Sequence, residues 1–368
     1  MRESMRVAQL LYSGLGGHGS VAFSLLDADK NQEWQSLMGF LGIESLLPAY
    51  AESCQKRGID YQYFPAVSGK PWRVWPRISR WLNCCRPEAI VLHSITALLP
   101  CFWYTRRLDI TLVVVEHQCN ALKRPVEWVF SYLAMLLADR VIVLTPMYQD
   151  ELKETLGVFY RADKVHLIPN GIDTTRFTPS DNPVIPNRTV RLGMAARFTT
   201  MKRQDVLVGM LLELRRCMPE IDWQLSLAGG GEGWEGIRQM IQAQGLEKCI
   251  SLPGQLDEPE LIKWYQIQDI YLHASMGETL STSLLQAMAT RIPIVASDVP
   301  GIRNLLGSQS ICGVLVAAHS PVGFANEVIK LRKNSSYAEE IAKTGRQLAI
   351  AAYSQNEMFS GYMKLLKK

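Results

Sequence analysis

At 368 residues the chain exceeds the size at which one hydrophobic core usually stops growing, so two domains are expected. About half of the residues are apolar and a fifth are charged, which excludes disordered and collagen-like classes. The formal net charge of +4 is small for this length and argues against nucleic-acid binding, which needs a concentrated basic face.

The N-terminus, Met1-Arg-Glu-Ser-Met5-Arg-Val-Ala-Gln-Leu-Leu-Tyr12, does not have the shape of a signal peptide: its apolar run is short and leads directly into a glycine turn. Strand-like runs follow at Val7–Tyr12, Gln35–Phe40, Asp60–Ala66, Ala89–Ser94, Thr111–His117, Arg140–Thr145 and Lys164–Pro169. A second series comprises Arg191–Ala196, Trp223–Ala228, Ile250–Pro253, Ile270–Ser275, Ile292–Ser297 and Gly313–Ala317. Helical patterns fill most of the gaps, and this alternation implies βαβ units with a parallel sheet covered on both faces. The longest apolar segment, Trp128 to Ala138, is too short to span a bilayer. The eight cysteines form no Cys-x-x-Cys pair and several lie in apolar stretches, which suits a reducing compartment. A cytoplasmic protein is expected. Between the two strand series, Thr178-Pro-Ser-Asp-Asn-Pro-Val-Ile-Pro-Asn-Arg188 reads as a linker, so two Rossmann-like domains should meet near residue 183.

In such sheets ligands bind outside the carboxyl ends of the strands. The first candidate is Gly14-Leu-Gly16-Gly17-His-Gly19, directly after the first strand. Glycines permit close backbone approach, and the amides of the following helix favour an anion. No acidic residue closes the second strand before Glu44, which weakens a dinucleotide reading and leaves a tight turn or a sugar- or phosphate-facing loop. His117, ending the fifth strand, would point into the crevice as a proton donor or acceptor, or serve as a hydrogen-bonded structural residue; His93 has the same position one strand earlier.

Arg197 and Lys202 place two cations on the loop after the first strand of the second series, which suits a pyrophosphate. Gly229 and Gly230, in Ala228-Gly-Gly-Gly-Glu232, repeat the glycine-turn logic. The strongest constellation is Ser275-Met-Gly277-Glu278-Thr-Leu-Ser281-Thr282-Ser283-Leu-Leu-Gln286. A carboxylate on a strand-to-helix loop, beside free helix amides, can hold sugar hydroxyls while the amides hold phosphate oxygens.

At this point the chain resembles glycosyltransferase family 4, a retaining family of GT-B fold. The resemblance rests on Asp269-Ile-Tyr-Leu-His-Ala-Ser275, Glu278, Gln286-Ala-Met-Ala, Pro293-Ile-Val-Ala-Ser-Asp298-Val-Pro-Gly301 and Gly313-Val-Leu-Val316. It extends to Gly16-Gly17, His117, Pro169-Asn170-Gly171-Ile172-Asp173, and Arg197 with Lys202, and covers essentially the whole chain.

The resemblance implies two Rossmann-like domains facing across a cleft: an acceptor-binding domain over residues 1–183 and a nucleotide-sugar domain over 184–352. Residues 353–368 would form a helix crossing back to the first domain. Arg197 and Lys202 would grip the donor pyrophosphate, Glu278 the transferred sugar, and the amides of Ser281, Thr282 and Ser283 the distal phosphate. His117 would face the sugar near the reacting carbon. Gly16 and Gly17 would bring backbone beside the donor or acceptor. Pro253, Gly254 and Gln255 would line the base pocket. No metal and no cofactor is required, and a UDP-sugar is expected over a GDP-sugar as co-substrate.

Three positions depart from the family. Gln286 replaces the second signature glutamate, whose carboxylate accepts from the ribose, and keeps one acceptor oxygen. Thr279-Leu280-Ser281 replaces Gly-Phe-Gly, and Ala289-Thr-Arg-Ile-Pro293 replaces Ala-x-Gly-x-Pro. Asp27-Ala-Asp29 resembles the metal-binding motif of the other glycosyltransferase fold but falls too early in the chain.

From Lys56 to Arg107 nine basic residues stand against two acidic ones, with tryptophans interleaved. This reads either as a solvated basic face with core tryptophans or as a surface on which Arg73, Arg77, Arg80, Trp72 and Trp75 face an anionic membrane on the inner side of the cytoplasmic membrane, and the second is favoured. A lipid-linked saccharide acceptor follows, as in bacterial surface polysaccharide or lipopolysaccharide O-antigen assembly. The rivals are a GT-B epimerase or hydrolase, and a non-catalytic GT-B-like partner protein.

Overall fold

The computed structural model describes residues 4–14, 17–118, 120, 123–180, 189–307 and 311–367. The chain divides into two compact units, Met1–Gly171 with Gln355–Lys368, and Ile172–Ser354.

The first unit holds a seven-stranded sheet of β1 (Met5–Tyr12), β2 (Trp34–Gly42), β3 (Tyr61–Pro65), β4 (Ala89–Leu92), β5 (Thr111–Glu116), β6 (Arg140–Val143) and β7 (Val165–Leu167). Their order is β3-β2-β1-β4-β5-β6-β7, with every pair parallel. β4 and β5 are buried at every position, as strands covered on both faces must be. The strand order reverses between β1 and β4, which makes the carboxyl ends of these two strands a ligand crevice.

The helix Gln355–Leu366 belongs to this unit. It buries Met358, Phe359, Tyr362, Met363 and Leu366, a stripe of helical period, and packs on the helix Gly17–Ala28. Trp34 supplies the matching surface, with its ring 5.2 Å from Phe359 and 6.5 Å from Tyr362.

The second unit holds β8 (Thr189–Ala195), β9 (Asp222–Ala228), β10 (Ile250–Gly254), β11 (Ile270–His273), β12 (Ile294–Ser297) and β13 (Val314–Val316). They form a parallel sheet in the order β10-β9-β8-β11-β12-β13. Its core includes Leu192, Leu211, Trp223, Leu272 and Phe324, all at most 1% exposed. Here the order reverses between β8 and β11.

All thirteen expected strands form, most with trimmed ends. β5 stops at Glu116 and β11 at His273, so His117 and Ser275 lie just beyond their strands. The unit boundary falls at Gly171, earlier than the expected residue 183. Residues 172–180 are tied to the second unit instead. Ile172 donates its N–H to the Tyr353 carbonyl at 2.9 Å, and Phe177 is buried against Tyr265. Residues 181–188, most of the proposed linker, lie outside the described residues. No described helix is long and apolar enough to cross a membrane. The seven described cysteines are free thiols.

Candidate functional site

The adjacency of β8 and β11 sets the site of the second unit. Leu192 pairs with Ile270 and Gly193 with Tyr271, so the loops that follow these strands emerge side by side. They are then joined: Lys202 and Ser275 form an antiparallel bridge, Arg203 donates its N–H to the Ala274 carbonyl at 3.1 Å, and Met276 to that of Met201 at 2.9 Å. This brings Lys202 and Glu278 together although 75 residues separate them in sequence. The Lys202 ammonium pairs with Oε1 of Glu278, whose side chain is 14% exposed. Burial and the Arg197 guanidinium push the pKa of the Lys202 ammonium down to about 7.

A third group completes this cluster. His273, the last residue of β11, is fully buried and places Nε2 2.8 Å from the same Glu278 Oε1. Burial and the nearby Lys202 charge hold its imidazole well below the usual histidine range. Sequence reasoning gave His273 no role. The available signal was a polar residue at the carboxyl end of an apolar strand, as at His117.

Glycines fix the loop backbones. A Cβ on Gly301 would lie 1.9 Å from the Glu278 carbonyl oxygen, so the Glu278 loop rests directly on the backbone of Gly301. Gly229 and Gly231 have φ of +130° and +142°, and a Cβ on either would strike the backbone of Ala196 or Phe198. These two glycines let the loop after β9 lie against the Arg197 loop. Gly230 faces open space, and Gly229 donates its N–H to the Gly254 carbonyl at 2.7 Å. Pro253, Gly254 and Gln255 follow at the end of β10. Thr282 opens the helix Thr282–Ala289, with Ser281 as its N-cap residue. The Ser281 hydroxyl lies 3.0 Å from that of Ser283 and makes no cap bond to the helix amides.

The first unit carries its own polar cluster at the β1/β4 reversal. His93 Nδ1 lies 2.9 Å from His117 Nε2, and His93 Nε2 lies 3.3 Å from Oε1 of Gln9, a fully buried residue of β1. Beside His117, the nearly solvent-free Lys123 ammonium donates to Glu116 Oε2 at 2.9 Å and to Ser131 Oγ at 2.7 Å. Gly16 lies outside the described residues, and Gly17 opens the helix Gly17–Ala28. Glu44, two residues beyond the end of β2, folds back onto the loop after β1. Its carboxylate accepts from Tyr12 Oη at 2.9 Å and would meet any Cβ on Gly14.

Residues 178–348 match the family described as glycosyl transferases group 1, and residues 45–176 match Glycosyltransferase Family 4. The chain belongs to glycosyltransferase family 4. It is 26% identical over 246 residues to a D-inositol 3-phosphate glycosyltransferase of Paenarthrobacter aurescens, covering 61% of this chain and 59% of that protein. A protein of the same name from an Arthrobacter species is 29% identical over 51% of this chain and 46% of its own length. The chain thus spans about half the length of the curated relatives it matches. Among solved structures, Anabaena HepE in complex with UDP and glucose superposes with a TM-score of 0.82 at 17% identity, over 99% of this chain and 100% of that one. The fold is GT-B.

The family 4 resemblance also locates the departures. The acceptor oxygen that Gln286 retains is engaged: Tyr265 Oη lies 3.2 Å from Gln286 Oε1 and 3.0 Å from the Ser283 carbonyl. Leu280 and Ser281, in place of the glycine-rich segment, are buried. Asp27 pairs with Arg57 at 2.9 Å, and Asp29 accepts from the N–H groups of Glu33 and Trp34, so this Asp-x-Asp motif is structural.

The basic and aromatic patch of this family 4 chain is narrower than its composition suggests. Trp75 donates to the Thr96 carbonyl at 3.0 Å, Trp81 packs on Phe64, and Tyr104 is buried. Trp72 and Trp103 remain, 53% and 69% exposed. They border a groove of about 300 Å³ with Trp75, Pro76, Leu99 and Pro100. Arg73, Arg77 and Arg80 are exposed on the same segment.

Proposed function

We propose that the chain transfers a glycosyl unit from a nucleotide diphosphate sugar to an acceptor hydroxyl, with retention at the anomeric carbon. The observation that carries this reading is the convergence of Lys202, Glu278 and the helix Thr282–Ala289 at the β8/β11 reversal, with Arg197 on the joined loop. Glu278 holds hydroxyls of the transferred sugar. Arg197, Lys202 and the first-turn amides of Thr282–Ala289 neutralise the diphosphate as it leaves, which removes the need for a metal ion. Pro253, Gly254 and Gln255 line the base pocket, and Gln286 meets the ribose. Gly229 serves mainly to let two loops approach, while Gly230 stays open to the donor. To His117 we assign a place beside the reacting sugar, and to Gly16 and Gly17 backbone contact with the donor or acceptor.

UDP is the preferred nucleotide; the Anabaena neighbour holding UDP and glucose supports it. For the acceptor we favour a lipid-linked saccharide at an anionic membrane surface, because exposed Trp72 and Trp103 adjoin Arg73, Arg77 and Arg80. A second reading comes from the relatives' name: an anionic polyol phosphate is an equally good match for a basic face.

Incubating the protein with UDP-sugars and two acceptors, a lipid-linked saccharide and inositol phosphate, tests these readings, with EDTA present in a parallel set. Transfer with retained configuration and unchanged rate in EDTA is expected. Turnover without any acceptor would favour an epimerase or hydrolase, and donor binding with no turnover a partner protein. Failure to float with anionic vesicles would sink the membrane reading.

A further inference from the structure

We propose that His273 is a positioning residue for the donor sugar: its Nε2–H holds Oε1 of Glu278 and leaves Oε2 to receive the sugar's hydroxyls. The proposal rests on the reading of Glu278 as the sugar-binding carboxylate.

The bond follows from what each group can do. A carboxylate oxygen only accepts, so at 2.8 Å the proton of this contact belongs to His273 Nε2. Burial keeps the imidazole neutral, so its single proton is on Nε2 and Nδ1 is an acceptor. The buried Tyr271 hydroxyl lies 3.4 Å from Nδ1 and 3.3 Å from the Ala195 carbonyl, which holds the ring from its far side. The tautomer is therefore set by the Glu278 contact, since the Tyr271 hydroxyl spends its proton on the Ala195 carbonyl.

Geometry separates the work of His273 from that of Lys202. Both groups meet the carboxylate at Oε1. Lys202 sits on a loop, has a flexible four-carbon stem, and keeps 19% of its side-chain surface exposed. A diphosphate beside Arg197 competes for its ammonium. His273 is the last residue of a central strand with a fully buried side chain, and a neutral imidazole gains little from a phosphate. When Lys202 turns to the diphosphate, His273 remains as the fixed donor to Glu278. The carboxylate then keeps its orientation through binding, and the sugar is met by a single pre-set oxygen.

The test measures dissociation constants of UDP and UDP-glucose by calorimetry for wild type, His273→Leu, His273→Gln and Glu278→Ala. His273→Leu should weaken UDP-glucose by about tenfold, the size of one hydrogen bond to a charged group, while UDP moves less than about twofold. His273→Gln, whose side-chain amide donates near the same place, should recover most of the loss. Retained UDP binding also reports that the fold is intact. If His273→Leu fails to fold, His273→Asn, with a donor too short to reach, replaces it in the comparison with His273→Gln. Selective weakening of UDP-glucose in Glu278→Ala but none in His273→Leu overturns the proposal alone. No selective weakening in Glu278→Ala overturns the reading of Glu278 and the proposal with it. Equal affinities for His273→Gln and the non-donating variant also overturn it.

Discussion

The hydroxyl of Tyr265 lies between the Ser283 carbonyl and Oε1 of Gln286, 3.0 and 3.2 Å away. The Gln286 oxygen is thus turned toward a buried tyrosine, which leaves its amide N–H groups as the edge for a ligand. A ribose hydroxyl meeting this amide edge accepts from it, where a glutamate would accept from the ribose. Gln286→Glu adds a second, charged acceptor oxygen. Its nucleotide affinity should rise about five- to tenfold with little change in kcat, as read by donor KM and by titration of UDP. An unchanged KM would remove Gln286 from the ribose site.

Lys202 gives the donor site a pH dependence. Its ammonium is pushed down to about 7 in the ligand-free protein, with Arg197, Glu278 and neutral His273 as its charged or titratable neighbours. A diphosphate favours the charged form, so binding takes up a proton above pH 7. Donor affinity should therefore be full below that pH and fall above it, by up to about tenfold per pH unit until the bound-state pKa is reached. Measuring the UDP dissociation constant from pH 6 to 9 checks this. Lys202→Arg, charged throughout the range, should flatten the profile.

Glu278→Ala should lower kcat/KM for transfer by at least about a hundredfold while the melting temperature stays near wild type. Gly301→Ala should produce a similar loss by a different route. The added methyl would collide with the Glu278 carbonyl and displace the loop. Wild-type activity in both variants would refute the placement of the sugar site.

His117→Ala should reduce kcat by at least about tenfold and leave the UDP dissociation constant near its wild-type value. Steady-state kinetics alongside nucleotide titration separates the two effects. A loss confined to nucleotide affinity would move His117 from the reacting centre to the binding site.

Trp34→Ala should destabilise the first unit by about 3–5 kcal/mol, because a buried ring packed on Phe359 and Tyr362 is removed. Limited proteolysis should then cut first within Gln355–Leu366. Unaltered cleavage there would show that the terminal helix does not depend on Trp34.

Much of this was legible in the sequence because it is local. Alternating apolar runs and helical stripes marked all thirteen strands, and the glycine turns and Glu278 stood where strands end. The domain boundary was misplaced for a physical reason. Prolines at 179, 183 and 186 mark an irregular segment, but the packing of Phe177 and the Ile172–Tyr353 bond decide where the second unit begins.

By itself the sequence determined the element series, the family motif and the residue types at the strand ends, since hydrophobic periodicity and turn chemistry act over a few residues. Only the tertiary structure decided which loops become neighbours. Sheet order places β11 beside β8 and β4 between β1 and β5, and these adjacencies assemble His273, Lys202 and Glu278 in one unit and Gln9, His93 and His117 in the other. They are pairings across long stretches of chain, fixed by collective packing, so no local pattern around His273, Tyr265 or Gln9 could announce them.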